Sequence, residues 1–258
     1  MSWTVERMAV GLLDAADSGA GLAPLTAQWP ELDPATAYAI QDEALRLRLD
    51  RGERLVGVKL GRLGASPPLT GWLTDAMVLP AGAPVPRNGL IRPRVQPEIV
   101  FQVGSRLAGP GITAATALTA VTAVSCGIEV TDSRYGGSAS GAGGAGGPAL
   151  ADVIADNASS GRFVTGPVAL QPDTVDLALE ACLLDVNGQV VDSATGAAVH
   201  GHPAEALAFA ANDLARRGLA IQPGWLVLTG GMTDPVPCPP GTSVAAHFTS
   251  FCSIFLSL

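Results

Sequence analysis

Hydrophobic positions near the N-terminus recur with helical spacing, whereas those further along fall into short runs typical of strands. Residues 3–17 place apolar side chains three and four positions apart, which predicts an amphipathic helix. A second helix is predicted from Asp33, which can cap it, through Pro34 at its first position, to about residue 50. The segment 54–60, RLVGVKL, then has the pattern of a short strand.

The remainder of the chain reads mainly as strands separated by turns. Further strands are predicted at 95–103, 122–132, 225–229, 243–248 and 252–256, a hairpin at 175–193 turning at Asn187-Gly188, and helices at 113–120 and 203–217. Residues 61–94 are rich in proline and glycine and are predicted to be mostly loop, and 136–147 holds seven glycines in twelve positions, typical of a flexible loop. Helices first and strands afterwards favour an α+β fold.

Composition excludes several classes of partner. The 258 residues are 48% hydrophobic and 15% charged, which suffices for a core without disulfide or metal staples. A net charge of -8, with a pI near 4.8, disfavours nucleic acid and anionic membranes. We predict no signal peptide or membrane span, and the four widely spaced cysteines indicate a reducing compartment. A cytoplasmic protein is therefore expected.

Lysine is almost missing from the sequence. Lys59 is the single lysine among 15 basic residues, in a composition that otherwise uses arginine. An ammonium is a compact charge whose pKa burial can shift, which a guanidinium does not offer. Retention by chance is the alternative, but the pattern favours a chemical task for Lys59.

Acidic and amide side chains occur where strands are predicted. Gln96 and Glu98 are two apart, so they share one face of a strand and can converge on a hard cation. Glu129 lies within the apolar run CGIEV, where an unpaired carboxylate would be costly. The spacing alone leaves two interpretations open, a metal site and a solvent-facing glutamate on an edge strand.

Several stretches of the chain, in order, resemble the 2-oxopent-4-enoate hydratase and 2-oxo-3-hexenedioate (4-oxalocrotonate) decarboxylase family, which has the fumarylacetoacetate-hydrolase-like fold. They are AYAIQ (37–41), GVKLG (57–61), GWLTDAMVLP (71–80), IRPRVQPEIVF (91–101), GIEVTDSR (127–134), IADNASSGRFVTG (154–166), AAVHGHPAEALAFAANDLA (197–215) and LTGGMTDPVPCPPG (228–241). The resemblance implies an N-terminal helical/αβ portion, 1–75, packed on a mixed β-roll, 76–258, that carries the catalytic site.

The resemblance also implies residue roles. Gln96, Glu98 and Glu129 fall on the family's metal ligands, and Lys59 and Asp75 fall on positions that we expect to act as a proton-transfer pair. The implied cofactor is Mg²⁺ or Mn²⁺. Gln96 stands where the family has a glutamate, so the ligand charge is -2 instead of -3 and weaker metal binding is expected.

The function implied is that of a divalent-metal-dependent lyase in aromatic catabolism. It would act on a short 2-oxo or 2-hydroxy dienoate by water addition. Three alternatives stay open: a 2-oxo-3-hexenedioate-type decarboxylase, a biosynthetic member whose shortened 61–74 segment changes the substrate, and a metal-poor partner subunit. Implied partners are a small 2-oxo acid, further copies of the chain in a homo-oligomer, and a related hydratase or decarboxylase in a complex.

Overall fold

A computed structural model describes residues 3–61, 66–86, 89–136 and 148–258 of the chain. The α-helices in these ranges are α1 Val5–Ser18, α2 Leu25–Gln28, α3 Pro34–Asp50, α4 Ala114–Leu118, α5 Leu150–Ala155 and α6 Pro203–Arg216. The strands are β1 Leu55–Gly61, β2 Leu69–Thr74, β3 Arg94–Val103, β4 Val121–Thr131, β5 Ser160–Thr165, β6 Ala181–Val186, β7 Gln189–Thr195, β8 Leu226–Leu228, β9 Val236–Pro237, β10 Ser243–Phe248 and β11 Ser253–Ser257.

Local sequence signals account for the two long N-terminal helices. The Thr4 side chain caps α1, and Gly19 ends it in the left-handed conformation with φ of 70°. Asp33 accepts a hydrogen bond from Thr36 N at 2.9 Å, which caps α3 as predicted. Both helices pack by their apolar faces, so their stability comes from tertiary contacts as well as from caps.

The strands form two sheets. The larger has the order β2-β1-β8-β3-β4-β5, with β9 paired to β3, and it is mixed because β1 and β8 run parallel. The smaller is antiparallel, with the order β11-β10-β6-β7. One core joins the two sheets and α6, through buried residues such as Ile99, Val124, Leu184, Ala246 and Leu207. The predicted α+β class is confirmed.

The N-terminal helices form a second, smaller core. Met8, Leu12 and Ile40 pack there with Ile154 of α5, against one end of the larger sheet. Strands β1 and β2 belong to that larger sheet, so the sheet crosses the boundary predicted at residue 75. What stands apart from it at the N-terminus is the helical segment that ends with α3.

Two parts of the sequence prediction need comment. The segment 61–94, predicted as mostly loop, contains the six-residue strand β2, which is fully buried. The sequence analysis missed this strand because proline and glycine residues surround it. The glycine-rich loop predicted at 136–147 falls, from residue 137 onward, outside the described residues. The hairpin is confirmed: Asn187 and Gly188 both have positive φ, 54° and 80°, as its tight turn requires.

The four cysteines are free thiols, and most are buried. Cys126, Cys182 and Cys238 are buried free thiols, and Cys252 is a partly buried one. None of the helices in the described part of the chain is long and apolar enough to cross a membrane.

A buried arginine ties β4, α5 and β5 together. Arg134 pairs its Nε with Asp156 Oδ1 and donates from Nη1 to Asp132 O and Ser160 O, at 2.7 and 2.6 Å. The Asp132 carboxylate accepts the backbone N–H groups of residues 91 and 92, at 3.0 and 2.6 Å. The TDSR part of the family-like stretch therefore holds together the scaffold beside β4.

Loss of this arginine should weaken the fold. Arg134→Ala leaves Asp156 buried without its partner, and we expect the free energy of unfolding to fall by about 3–5 kcal/mol. The control is Arg46→Ala, because Arg46 makes only exposed helix-surface ion pairs. It should leave the urea midpoint almost unchanged. Equal midpoints for the two variants would contradict the structural role of Arg134.

Candidate active site

Two adjacent antiparallel strands bring three of the predicted ligands together. In the β3–β4 register Gln96 lies opposite Glu129, and Glu98 follows Gln96 on the same face of β3. All three are buried: the exposed fractions are 7% for Gln96, 0% for Glu98 and 1% for Glu129. The alternative of a solvent-facing Glu129 is therefore wrong.

The side chains of these three residues contact one another directly. Gln96 Nε2 donates to Glu98 Oε1 and to Glu129 Oε2, each at 3.0 Å. The amide nitrogen thus lies between the two carboxylates and donates to both. Rotating the amide would turn its oxygen toward the same point.

Lys59 completes the cluster from β1. Its Nζ lies 2.7 Å from Glu129 Oε1 and donates to Ala158 O at 2.9 Å. Only 1% of Lys59 is exposed, so the single lysine of the chain is an internal charge. A buried ammonium is tolerated only with such partners, which supports the interpretation that Lys59 is retained for a purpose.

The second oxygen of Glu98 is held by the backbone. Gly230 N donates to Glu98 Oε2 at 2.8 Å, from a left-handed conformation with φ of 91°. A Cβ on the next residue, Gly231, would come within 2.6 Å of Gln96 Oε1. The pair of glycines in LTGGM therefore packs against the ligand residues, a role that the sequence analysis missed although the double glycine signalled a close approach.

The electrostatics of the cluster are unbalanced. Burial, and next the charge of Glu129, raise the pKa of Glu98 well above its usual range, while Lys59 opposes the rise. Two carboxylates face one ammonium here. A further positive charge at this point would offset the cost of burying the Glu98 carboxylate.

Asp75 lies apart from this cluster. Its carboxylate accepts Arg54 N and pairs with Arg54 Nε, each at 2.8 Å, and its side chain is 30% exposed. Hydrogen bonds from Arg54 lower the pKa of Asp75, and partial burial opposes this effect. The residue of β2 opposite Lys59 is Gly71. Asp75 lies four residues beyond Gly71, which is about 13 Å along an extended chain. The acidic partner of Lys59 is Glu129, so the expected pairing with Asp75 is corrected.

The donor set suits a hard divalent cation. Among the described residues there is no group of three His, Cys, Asp or Glu side chains that could hold a metal, and the cluster instead offers two carboxylates and an amide. Carboxylate and amide oxygens are ligands that Mg²⁺ and similar ions accept. The buried setting, in which Glu98 and Glu129 face a single ammonium, fits such an ion.

Known proteins are similar to this chain in both sequence and fold. The chain is 36% identical over 238 residues to a 4-oxalocrotonate decarboxylase of Pseudomonas sp. (strain CF600), covering 89% of this chain and 87% of that one. It is 38% identical over 247 residues to a 2-hydroxyhexa-2,4-dienoate hydratase of Comamonas testosteroni, covering 92% and 90%. No protein-family model matches the chain.

Solved structures agree. The 4-oxalocrotonate decarboxylase from Pseudomonas putida G7, complexed with magnesium and adipate, superposes with a TM-score of 0.92 at 32% identity, over 99% of this chain and 98% of that one. Structures only 13–15% identical, a fumarylacetoacetate hydrolase among them, share the fold alone at TM-scores of 0.56–0.58.

The fold is thus of the fumarylacetoacetate-hydrolase-like class, as the sequence predicted. Within that class, the chain belongs to the 2-keto-4-pentenoate hydratase and 4-oxalocrotonate decarboxylase family, a family of lyases.

Removal of the internal ammonium should be costly, and removal of its partner should reduce that cost. Lys59→Met leaves Glu129 buried without a counter-charge, so we expect a loss of about 3–5 kcal/mol in the free energy of unfolding. Adding Glu129→Gln removes the orphaned charge, and the double variant should be more stable than Lys59→Met alone. Denaturant unfolding of both variants measures the difference. A double variant less stable than Lys59→Met would contradict the ion pair.

Proposed function

We propose that this protein is a divalent-metal-dependent lyase acting on a short 2-oxo or 2-hydroxy dienoate, with water addition as its reaction. One observation carries the proposal: Gln96, Glu98 and Glu129 converge within hydrogen-bond distance at a buried point beside Lys59. The relatives are named for this class of substrate, and one was solved with magnesium and adipate.

Gln96, Glu98 and Glu129 would hold the cation. A divalent ion bound there would stabilise the negative charge that develops on the oxygens of a 2-oxo acid. The oxygen set selects a hard ion, and Mg²⁺ or Mn²⁺ is the proposed cofactor. Glu98 is fixed in advance by Gly230 N–H, so one ligand is already aimed when the ion arrives.

Lys59 is the proposed proton carrier. The dienol must lose a proton at oxygen and gain one along its carbon chain before water can add, and Nζ is a group of this cluster that bears protons it can transfer. Glu129 stabilises the charged ammonium, and burial of the lysine keeps bulk water from exchanging its proton freely.

Decarboxylation is the second candidate, and the comparisons supply the reason. The 4-oxalocrotonate decarboxylases are 34–36% identical to this chain and the hydratases 32–38%, and a decarboxylase structure superposes with a TM-score of 0.92. Water addition and loss of CO2 both proceed through charge developing on the same 2-oxo acid oxygens. The residues of the cluster therefore serve either outcome.

Direct assay separates the two reactions. Purified protein is incubated with 2-hydroxypenta-2,4-dienoate or 2-oxo-3-hexenedioate and added Mg²⁺, while dienol absorbance and CO2 release are followed. We expect loss of the pentadienoate absorbance without CO2. CO2 release from the dioate would favour the decarboxylase, and inactivity on both would favour the partner-subunit or changed-substrate alternatives.

We also propose that the protein is cytoplasmic and works as a homo-oligomer that can associate with a related hydratase or decarboxylase. Leu183, Val190 and Phe255 are 46%, 59% and 59% exposed on one face of the smaller sheet, where Val190, Asp185, Ala245 and Phe255 lie in one cross-strand row. Exposed apolar patches of this kind favour association. Light scattering should give a multiple of 26.0 kDa, and a monomer mass would contradict the oligomer.

Lys59→Arg should lose most of the activity. It keeps a positive charge but cannot release a proton near neutral pH, so kcat should fall roughly 10²-fold or more. Asp75→Asn is the comparison variant, because Asp75 contacts Arg54 instead of Lys59. Steady-state kinetics should leave Asp75→Asn near the wild type. Normal turnover in Lys59→Arg would refute the proton-carrier role of Lys59. A loss of turnover confined to Asp75→Asn would instead favour a catalytic role for Asp75.

Gln96→Glu should tighten metal binding. A third carboxylate raises the ligand charge from -2 to -3, and a hard cation is held more strongly by a charge than by an amide dipole. Calorimetric titration with Mg²⁺ and Mn²⁺, without substrate, compares the two proteins. Equal affinities, or binding by neither form, would indicate that residue 96 does not face a metal and would favour the partner-subunit alternative.

A further inference from the structure

A left-handed turn lies against the cluster, between α5 and β5. Asn157, Ala158 and Ser159 have φ of 54°, 51° and 57°. Residues other than glycine disfavour the left-handed conformation, because their Cβ atom crowds the backbone. Local preference therefore does not explain three successive non-glycine residues in this conformation. Surrounding contacts must therefore hold the turn.

The Asn157 side chain is the most direct of these contacts. Its Oδ1 accepts from Trp72 N at 2.6 Å, and its Nδ2 donates to Trp72 O at 2.9 Å. One amide thus engages both main-chain groups of a single residue of β2, as a neighbouring strand would. At the far end of the turn, Ser159 O accepts from Asp132 N at 2.8 Å.

The turn presents the main-chain carbonyl of Ala158 to Lys59. That oxygen accepts from Lys59 Nζ at 2.9 Å, and Glu129 Oε1 is the other partner of the ammonium, at 2.7 Å. Two glycines make the approach feasible. A Cβ at Gly71 would come within 2.7 Å of the Asn157 carbonyl oxygen, and one at Gly61 within 3.1 Å of the Ala158 Cβ.

We propose that Asn157 is a positioning residue for Lys59. Its side chain holds the strained turn against β2, the turn holds the Ala158 carbonyl in place, and that carbonyl fixes the direction of the Lys59 ammonium. Without the amide, the turn relaxes and Lys59 keeps Glu129 as its remaining anchor. The catalytic consequence rests on the proposed function, because it requires Lys59 to transfer a proton.

The test compares two glycine substitutions in the same turn. Asn157→Gly tolerates the left-handed backbone but removes the contacts to Trp72, and Ser159→Gly eases the same backbone strain while leaving those contacts intact. We expect kcat to fall roughly tenfold to a hundredfold in Asn157→Gly, with KM changed less than about threefold, because the proton carrier is misaligned while binding is preserved. Ser159→Gly should match the wild type.

A second readout does not depend on activity. Because Lys59 is the single lysine, protein labelled with ¹³C-lysine gives one ε-methylene NMR signal set, which needs no assignment. In Asn157→Gly we expect this signal to shift, and the two ε-methylene protons, inequivalent while the side chain is held in place, to become equivalent. In Ser159→Gly the signal should stay unchanged. Mg²⁺ affinity should be unaltered in both, because the proposed ligands lie on β3 and β4.

The outcomes distinguish this inference from the proposed function. An unchanged lysine signal in Asn157→Gly overturns the positioning role, whatever happens to turnover. A shifted signal in a protein whose wild type acts on neither dienoate supports positioning and overturns the function instead. If Asn157→Gly does not fold, Asn157→Asp decides. It keeps the acceptor for Trp72 N, loses the donor to Trp72 O, and should give an intermediate shift, whereas an unchanged signal in that folded variant overturns the proposal.

Discussion

The ion pair between Lys59 and Glu129 is the interaction on which the site depends. Both groups are almost fully buried, and Glu98, also buried, adds a second carboxylate to a place with a single ammonium. Charges removed from water in this way are costly unless each finds close partners. Ala158 O, Gly230 N–H and the Gln96 amide supply these partners, and the segments that carry them are shaped accordingly.

The sheet makes the pairing geometrically achievable. In the order β1-β8-β3-β4, three strand spacings separate β1 from β4, about 14 Å in a flat sheet. The register places Ser125 level with Lys59, so Glu129 also lies four residues, about 13 Å, further along β4. A contact of 2.7 Å between the side-chain ends of Lys59 and Glu129 therefore draws on the curl of the sheet as well as on the length of the lysine. The parallel β1–β8 pair and the antiparallel β3–β4 pair thus meet around one point, and the two cores behind the sheet hold that curvature.

Much of this arrangement could be predicted, and the failures share a cause. A lone lysine, a carboxylate in an apolar strand and a two-residue spacing identified Lys59, Glu129, Gln96 and Glu98, because each leaves a side-chain signature in the sequence. Ala158 and Gly230 act through main-chain atoms, which no pattern of side chains reports. Asp75 was assigned by family resemblance, and its separation from Lys59 follows from the register of β1 with β2, which only the structure shows.

The amide at position 96 lowers the negative charge that the folded chain buries at this point. With a glutamate there, three carboxylates would lie at one buried point beside a single ammonium, and their burial would cost more free energy. Gln96 instead turns its NH₂ toward the two acids, and the same amide offers an oxygen when it is rotated. The folded chain therefore buries one negative charge fewer at this point than a chain with glutamate at position 96 would bury.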